Sequence, residues 1–280
     1  MTMPAAERVP KTWFITGSSR GFGRQWAEDI LERGDRVVAA ARSTGPLDEL
    51  AERYGDAVLA LPLDITDREA AFEAIEVAHR HFGQLDVLVN NAGYGMFGMI
   101  EEATEAEVRE QFETNFFGTL WLTQAVLPLM REQGAGHIIQ ISSVAGLSSF
   151  PGLGMYAASK WALEGMSQAL AAEVGPFGIK VTLVEPTGYS TARGGAEPHL
   201  STPLPVYEAT RAALLEGQRS QPWGDPKATS AAMLALADSP RPPLRLFLGD
   251  GPLTMISAEY EQRIATWREW EPISVAASGL

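Results

Sequence analysis

No cysteine occurs among the 280 residues. Disulfides, thiolate metal sites and cysteine nucleophiles are therefore excluded, and the composition suits a reducing, cytoplasmic setting. Positive charge is also scarce: 22 Lys and Arg stand against 35 Asp and Glu, a net charge of −13. So acidic a surface does not suit polyanions, and neither nucleic acid nor an anionic membrane is an expected partner. No apolar run approaches the roughly 20 residues that cross a bilayer. Met1 to Pro10 lacks an apolar stretch and a cleavage site, so no signal peptide is expected. Only four lysines occur, Lys11, Lys160, Lys180 and Lys227, and one of them lies in the most informative segment of the chain.

What the chain does have is a core: 45% of its residues are hydrophobic, enough for one large α/β domain over residues 1–280. Short β-rich runs start at Thr12, Arg36, Val58, Val87, His137, Lys180 and Arg245. Several are continuously apolar, as strands covered on both faces must be. Helical patterns fall between them at about 23–33, 46–54, 67–82, 104–131, 155–174 and 226–238. Asp67 is placed to cap one start, and Thr104 with Glu107 has capping-box spacing. Gly34 and Gly83 stand at helix stops. The alternation predicts a Rossmann-type, doubly wound α/β fold: a seven-stranded, mainly parallel sheet with helices on both faces. There is no internal repeat and no linker. The Gly- and Pro-rich span of about 187–224 reads as a mobile lid beside the ligand crevice. The tail, about 252–280, carries Trp267 and Trp270 in an amphipathic stretch. It has three open roles: covering the site, packing on the core, or contacting another subunit.

Tyr156 is followed by Lys160. On a helix this i, i+4 spacing puts both side chains on one face. A free tyrosine, with a pKa of about 10, is a poor proton donor or acceptor near neutrality. At ~5 Å and an effective dielectric of about 20, a lysine favours the phenolate by roughly 3 kcal/mol. The expectation is a phenol lowered by about two units and able to exchange protons with an alcohol or carbonyl.

A glycine loop, Gly17, Ser18, Ser19, Arg20, Gly21, Phe22, Gly23, joins the first strand to the first helix. Glycines let the backbone turn tightly and approach a pyrophosphate, which then meets the free N–H groups of the helix start. The second strand ends in Ala40, Ala41, Arg42. No carboxylate is present there to bind a ribose 2′-hydroxyl, whereas Arg42 and Arg20 suit the 2′-phosphate of NADP. Asp64 and Ile65 follow the third strand; the aspartate either accepts from an adenine amino group or caps the next helix. Asn90, Asn91, Ala92 and Gly93 follow the fourth, where small residues permit close approach and asparagine amides brace the backbone.

Together these segments resemble the short-chain dehydrogenase/reductase family over roughly residues 11 to 250. The resemblance is carried by the glycine loop, Asn90 to Gly93, Asn115, Ile141, Ser142 and Ser143 with Gly146, Tyr156 to Lys160, and Glu185, Pro186, Thr187 and Gly188 leading to Thr191. It implies Tyr156 as general acid/base and Lys160 as the ligand of the nicotinamide ribose. It implies Ser143 as holder of the substrate oxygen, with Ser142 the alternative. It implies that Asn115 holds a water in a proton relay, and that Pro186, Gly188 and Thr191 contact the nicotinamide. Thr187 stands where this family often has glycine, and Gln140 where asparagine is common. The cofactor set is then Gly17, Ser19, Arg20, Gly21, Phe22, Gly23, Arg42, Asp64, Ile65, Asn91, Ala92, Gly93, Tyr156, Lys160, Pro186, Gly188 and Thr191. The implied assembly is a homodimer or homotetramer through the helices at 104–131 and 155–174.

Tyr94, Met96, Val144, Phe150, Leu153, Met155 and Tyr189 fall on segments that face the nicotinamide in such a fold. Their character suggests an apolar alcohol or ketone as substrate. The implied reaction is NADP(H)-dependent alcohol oxidation or carbonyl reduction. A non-catalytic NADP(H) sensor or scaffold and an epimerase-like transient use of NADP are the alternatives. A hydrolase triad around Ser143 lacks the nucleophile-elbow sequence. His79 and His81, two apart on a helix, do not share a face and do not suggest a metal site.

Overall fold

Trp13 and Ile15 leave the first strand on one side and Phe14 on the other, and all three are fully buried. That period-2 alternation with burial on both sides makes the strand central in a covered sheet. The structure, a computed structural model, describes residues 9–190, 199–219 and 223–279. Thr191, part of the expected lid, and the stretch from Met1 to Arg8 read for a signal peptide lie outside the described residues.

The elements run β1 (Thr12–Thr16), α1 (Gly21–Glu32), β2 (Arg36–Ala41), α2 (Asp48–Tyr54), β3 (Val58–Pro62), α3 (Arg68–Phe82) and β4 (Val87–Asn90). Then come β5 (Met96–Phe97), α4 (Glu105–Phe112), a π-helical turn (Glu113–Gly118), α5 (Thr119–Gln133), β6 (Gly136–Ile141), α6 (Gly154–Val174) and β7 (Ile179–Pro186). The last are β8 (His199–Leu200), α7 (Glu208–Arg219), α8 (Ser230–Asp238), β9 (Arg245–Leu248) and α9 (Pro252–Ala276). Seven strands form one sheet in the order β3-β2-β1-β4-β6-β7-β9. Every neighbouring pair in it is parallel. Trp26, Ile30, Met233 and Leu236 cover one face of the sheet; Ile75, Leu122, Val126 and Leu170 cover the other. Burying one such side chain contributes roughly 1.5–3 kcal/mol.

Strand order reverses between β1 and β4, and the loops after those strands touch through Asn91 and Thr16, at the place where doubly wound sheets bind ligands. The expected caps are present. Asp67 accepts from Ala70 N at 3.0 Å, and Thr104 with Glu107 forms a capping box. Gly83 ends α3 in the left-handed region, with φ 77°.

Three details lie beyond these expectations. The helix expected over 104–131 is present and carries a π turn within it, at Glu113–Gly118. The lid span contains a helix, α7, and a short parallel bridge of β8 to β5. The tail forms α9, whose start packs on the body: Pro252 and Ile256 are buried, and Arg263 crosses the Trp161 ring of α6 at 5.3 Å. Glu259 of α9 meets Ser148, in the loop after β6. Trp267 and Trp270 are mostly exposed, so the tail's far half neither packs on the core nor covers the site.

Candidate active site

The glycine loop takes the shape its residues allow. Gly17 and Gly21 have φ values of 68° and 59°, which a side chain would strain. Asn91 braces the loop by donating from Nδ2 to the Thr16 carbonyl at 2.7 Å. Thr16 Oγ1 accepts from the N–H groups of Asn91 and Ala92, both at 2.9 Å. Arg20 is the N-cap of α1 and provides no side-chain cap, and the first turn holds no acidic residue. The helix start is thus open to an anion, the feature a pyrophosphate requires.

Arg20 and Arg42 are exposed at this end, and no ion pair among the described residues engages either side chain. Burial pushes the Tyr94 phenol up, and the nearby Arg42 charge opposes that shift. Asp64 caps no helix: its Oδ1 accepts from the N–H and hydroxyl of Thr66 at 3.0 and 2.8 Å, while Asp67 caps α3. Ile65 is buried where Gly118 of the π turn approaches it; a Cβ there would lie 2.7 Å from Ile65 Cδ1. Phe22 stacks on Trp26 with ring centroids 5.0 Å apart and meets Tyr189 edge-on at 5.1 Å.

Thr187 fits without a glycine-only backbone, since among the described residues no non-glycine has positive φ. Its N–H donates to the Leu248 carbonyl at 3.0 Å, and its side chain packs where Gly249 leaves room. Pro186 ends β7 against Leu248 of β9, and Gly188 packs under the Trp223 ring.

The four catalytic candidates converge on one place. Tyr156 and Lys160 lie on α6, Ser143 follows β6, and Asn115 sits in the π turn. Such turns occur often at functional sites. Ser143 Oγ accepts from Ala145 N at 3.1 Å and lies near enough to the Tyr156 hydroxyl to oppose the effect of burial on that phenol. Ser142 is not its equivalent, because its hydroxyl turns away toward Glu164. Lys160 Nζ donates to the Ile141 carbonyl at 2.7 Å and lies 5.8 Å from the Tyr156 ring centroid. Asn115 Nδ2 donates to the Tyr94 carbonyl at 3.0 Å and to Ser159 Oγ at 3.1 Å. A Cβ on Gly93 would sit 3.0 Å from Asn115 Oδ1 and 3.6 Å from Lys160 Nζ, so this glycine joins the dinucleotide side to the catalytic side.

The expected electrostatics of the pair are corrected. Burial pushes the Tyr156 phenol up from its ordinary value, opposed by the Ser143 hydroxyl. Burial also pulls the Lys160 ammonium down to about 8, opposed by the Glu164 carboxylate. The lysine is itself desolvated and turned to a carbonyl, so it lowers the phenol less than the helical spacing alone predicts.

Around this centre, Tyr94, Val144, Phe150, Leu153 and Met155 are half-buried. Met96 is buried in the β5–β8 bridge, and Tyr189 packs on Phe22. Residues not singled out in the sequence support the site. Buried Gln111 holds Tyr94 O and Met96 N, both at 2.9 Å. Ser159 and Glu164 were equally silent, and only their helical spacing from Tyr156 and Lys160 could have signalled them; Gln140 and Glu185 were noted in the sequence without these roles. Gln140 accepts from Asn90 at 2.9 Å and donates to Thr123 at 3.1 Å, which fixes the end of β4. Glu102 anchors the described part of the lid by accepting from Met99 N and Leu204 N and pairing with Arg211.

Comparison with known proteins agrees with this geometry. The short chain dehydrogenase family matches residues 11–199. Oxidoreductase BOA17 of Botryotinia fuckeliana is 37% identical over 96% of this chain and 100% of its own length. A 3-ketodihydrosphingosine reductase of Bacteroides thetaiotaomicron is 44% identical over 65% of each chain. Among solved structures, a short-chain dehydrogenase from Streptomyces avermitilis superposes with TM-score 0.90 at 41% identity, covering 96% of this chain and 99% of that one. ElxO with NADP bound superposes with TM-score 0.74 at 27% identity, over 88% of this chain and 100% of its own. A Burkholderia phymatum protein in complex with NAD shares the fold, with TM-score 0.78 at 24% identity, over 94% of this chain and 97% of its own. The glycine loop, the Tyr156–Lys160 helix and the sheet order thus have one common explanation: the chain belongs to the short-chain dehydrogenase family of oxidoreductases.

Proposed function

We propose that the protein is an NADP(H)-dependent oxidoreductase that interconverts an apolar alcohol and the corresponding ketone, with Tyr156 as general acid/base. The observation that carries this reading is the meeting of Tyr156, Ser143, Lys160 and Asn115 beside Gly93 and the braced glycine loop. Bound nicotinamide supplies or accepts the hydride. The chain's own residues do the rest. Ser143 and Tyr156 hold the substrate oxygen, and Tyr156 gives its proton to the developing alkoxide. Lys160 stabilises the phenolate left behind, and Asn115 keeps the π turn and Tyr94 in register beside it. Asn91, Ala92 and Gly93 seat the dinucleotide against the loop.

The choice of NADP(H) over NAD(H) rests on Arg42 and Arg20, two exposed guanidinium groups at the end of β2 and in the glycine loop. The apolar class of substrate rests on Phe150, Leu153, Met155 and Val144 around Tyr156. The Bacteroides relative named a 3-ketodihydrosphingosine reductase supports a carbonyl reduction.

The test is a comparative titration of NADPH and NADH followed by a panel of ketones and alcohols read by nicotinamide absorbance. The expected result is tighter NADPH binding and turnover of apolar carbonyls. Cofactor binding with no turnover across the panel would instead mark a sensor or scaffold. Conversion of substrate without net absorbance change would mark an epimerase.

A further inference from the structure

Directly behind the catalytic lysine lies a cluster that this chemistry leaves unexplained. Glu164 of α6 is 4% exposed and Glu185 of β7 is 0% exposed. One guanidinium serves both: Arg245 Nε of β9 is 2.9 Å from Glu164 Oε2 and 3.6 Å from Glu185 Oε1. The two carboxylates share a single guanidinium and are shut away from water, so each oxygen left without a donor is costly. Among the described residues, neither Glu185 oxygen has a donor, and Glu164 Oε1 has none either. A single proton held between the two carboxyl groups supplies a donor that the pair otherwise lacks.

The cluster is close to the catalytic residues. Glu164 is four residues beyond Lys160 on one helix, hence on the same face. Gly146, just after Ser143, packs against it: a Cβ there would meet Glu164 Cγ at 3.0 Å and the Lys160 carbonyl at 3.3 Å. Glu185 immediately precedes Pro186. The groups facing the pair are Lys160 from α6, Arg245 from β9 and the Ser142 hydroxyl from the loop after β6. Gln168 holds the other end of Arg245 at 2.9 Å.

We propose that Glu164 and Glu185 form a proton-sharing carboxyl pair, clamped by Arg245, that holds the Lys160 ammonium in its charged form behind Tyr156. The two are positioning residues, acting through Lys160, and the proposal deepens the oxidoreductase reading and rests on it. Burial and the neighbouring carboxylate push the Glu185 carboxyl up to about 8, and burial pulls Lys160 down to about 8. The two shifts run toward each other, so the titrations of the pair and of Lys160 are linked. When the pair gives up its proton, its added negative charge strengthens the hold of Lys160 on its own proton. The pair acts as a local charge reserve that delays neutralisation of the lysine as pH rises.

The experiment is an NMR titration of the full chain carrying lysine labelled with carbon-13 at Cε. The four lysines give few signals, and Lys160→Arg assigns the relevant one. Glu185→Gln preserves volume and keeps a donor toward Glu164, so it retains the fold even if Glu164→Gln does not; thermal melting checks both. The expected result is a Lys160 midpoint lowered by about one pH unit or more in each folded variant. The alkaline limb of turnover should move with it, and KM should stay unchanged. A Lys160 midpoint that stays in place in both folded variants overturns the proposal, whatever the activity. A midpoint that moves in a chain without carbonyl turnover supports the charge coupling and removes only the oxidoreductase reading.

Discussion

Tyr94 and Asn115 grip each other through a reciprocal pair of hydrogen bonds. Tyr94 N–H donates to Asn115 Oδ1 at 3.1 Å, and Asn115 Nδ2 donates back to the Tyr94 carbonyl at 3.0 Å. An amide side chain thereby imitates a strand partner. It fixes the loop after β4 to the π turn and sets Gly93 beside Lys160. Asn115→Leu removes both bonds and leaves a buried N–H without a partner. The expected cost is about 1–3 kcal/mol for that orphaned donor, read by urea unfolding. Asn115→Asp keeps the acceptor for Tyr94 N–H but loses both donations, so it should fall between wild type and Asn115→Leu. Equal stability of all three would show that the grip contributes nothing.

Tyr156→Phe deletes one hydroxyl and leaves packing intact. Binding of NADPH should persist, while turnover falls by at least about a hundredfold, the usual scale of a lost general acid. Ser143→Ala should lower turnover in the same direction, because it removes the hydroxyl that opposes the upward pull of burial on the phenol. Unchanged turnover of Tyr156→Phe in a clean preparation would refute the assignment.

Two glycines predict opposite signs. A Cβ at Gly23 would lie 2.5 Å from the Gly17 carbonyl oxygen and 2.6 Å from Asn91 Nδ2. Gly23→Ala must therefore displace the loop, at a cost of roughly 1–3 kcal/mol, and dinucleotide affinity should fall with stability. Gly165, on the exposed face of α6, would place a Cβ in open space. Gly165→Ala should raise stability by about 0.5–1 kcal/mol, because alanine loses less backbone entropy in a helix. Thermal melting with and without NADPH reads both.

Arg42→Asp replaces a cation at the end of β2 with the carboxylate that suits an NAD ribose. NADPH affinity should drop at least tenfold and NADH affinity should rise. Comparative fluorescence titration measures the ratio, and an unaltered ratio would remove Arg42 from cofactor choice.

His137 supplies the pH dependence. Thr182 Oγ1 donates to the Pro243 carbonyl at 2.8 Å, so it accepts from His137 Nε2 at 3.0 Å and the ring is neutral. Burial, with Lys180 and Lys11 nearby, pulls its pKa from 6.5 to about 3. The unfolded chain therefore takes up the proton first as pH falls. Stability is fully present above about 6.5 and is lost as pH drops toward 3, on the order of 3 kcal/mol by pH 4. His137→Gln should flatten that loss in urea unfolding from pH 7 to pH 4. Parallel curves for the two proteins would sink the argument.

The glycine loop, Asn90 to Gly93 and the Tyr156–Lys160 spacing were legible because each depends on short-range geometry: a turn, a close approach, one helix face. The π turn at Asn115 was not, since residues 104–131 carry uninterrupted helical signals and the extra residue is stabilised from outside, by Tyr94, Ser159 and the approach of Gly118 to Ile65. Asp64 illustrates the same limit. Two acidic residues stood within one turn of a helix start, and only the folded backbone assigns the cap to Asp67.

By itself the sequence determined the sheet, because apolar β-branched runs alternating with amphipathic helices bury their surface in very few ways. It also determined which residue types gather at the carboxyl ends of β1 and β4. Tertiary structure alone decided the sign of the Tyr156 shift and the partner of Lys160, since these depend on how much water is excluded and which charges lie within a few ångströms. It alone brought Glu164, Glu185 and Arg245 together from three separate elements, and no local pattern encodes an encounter across a sheet.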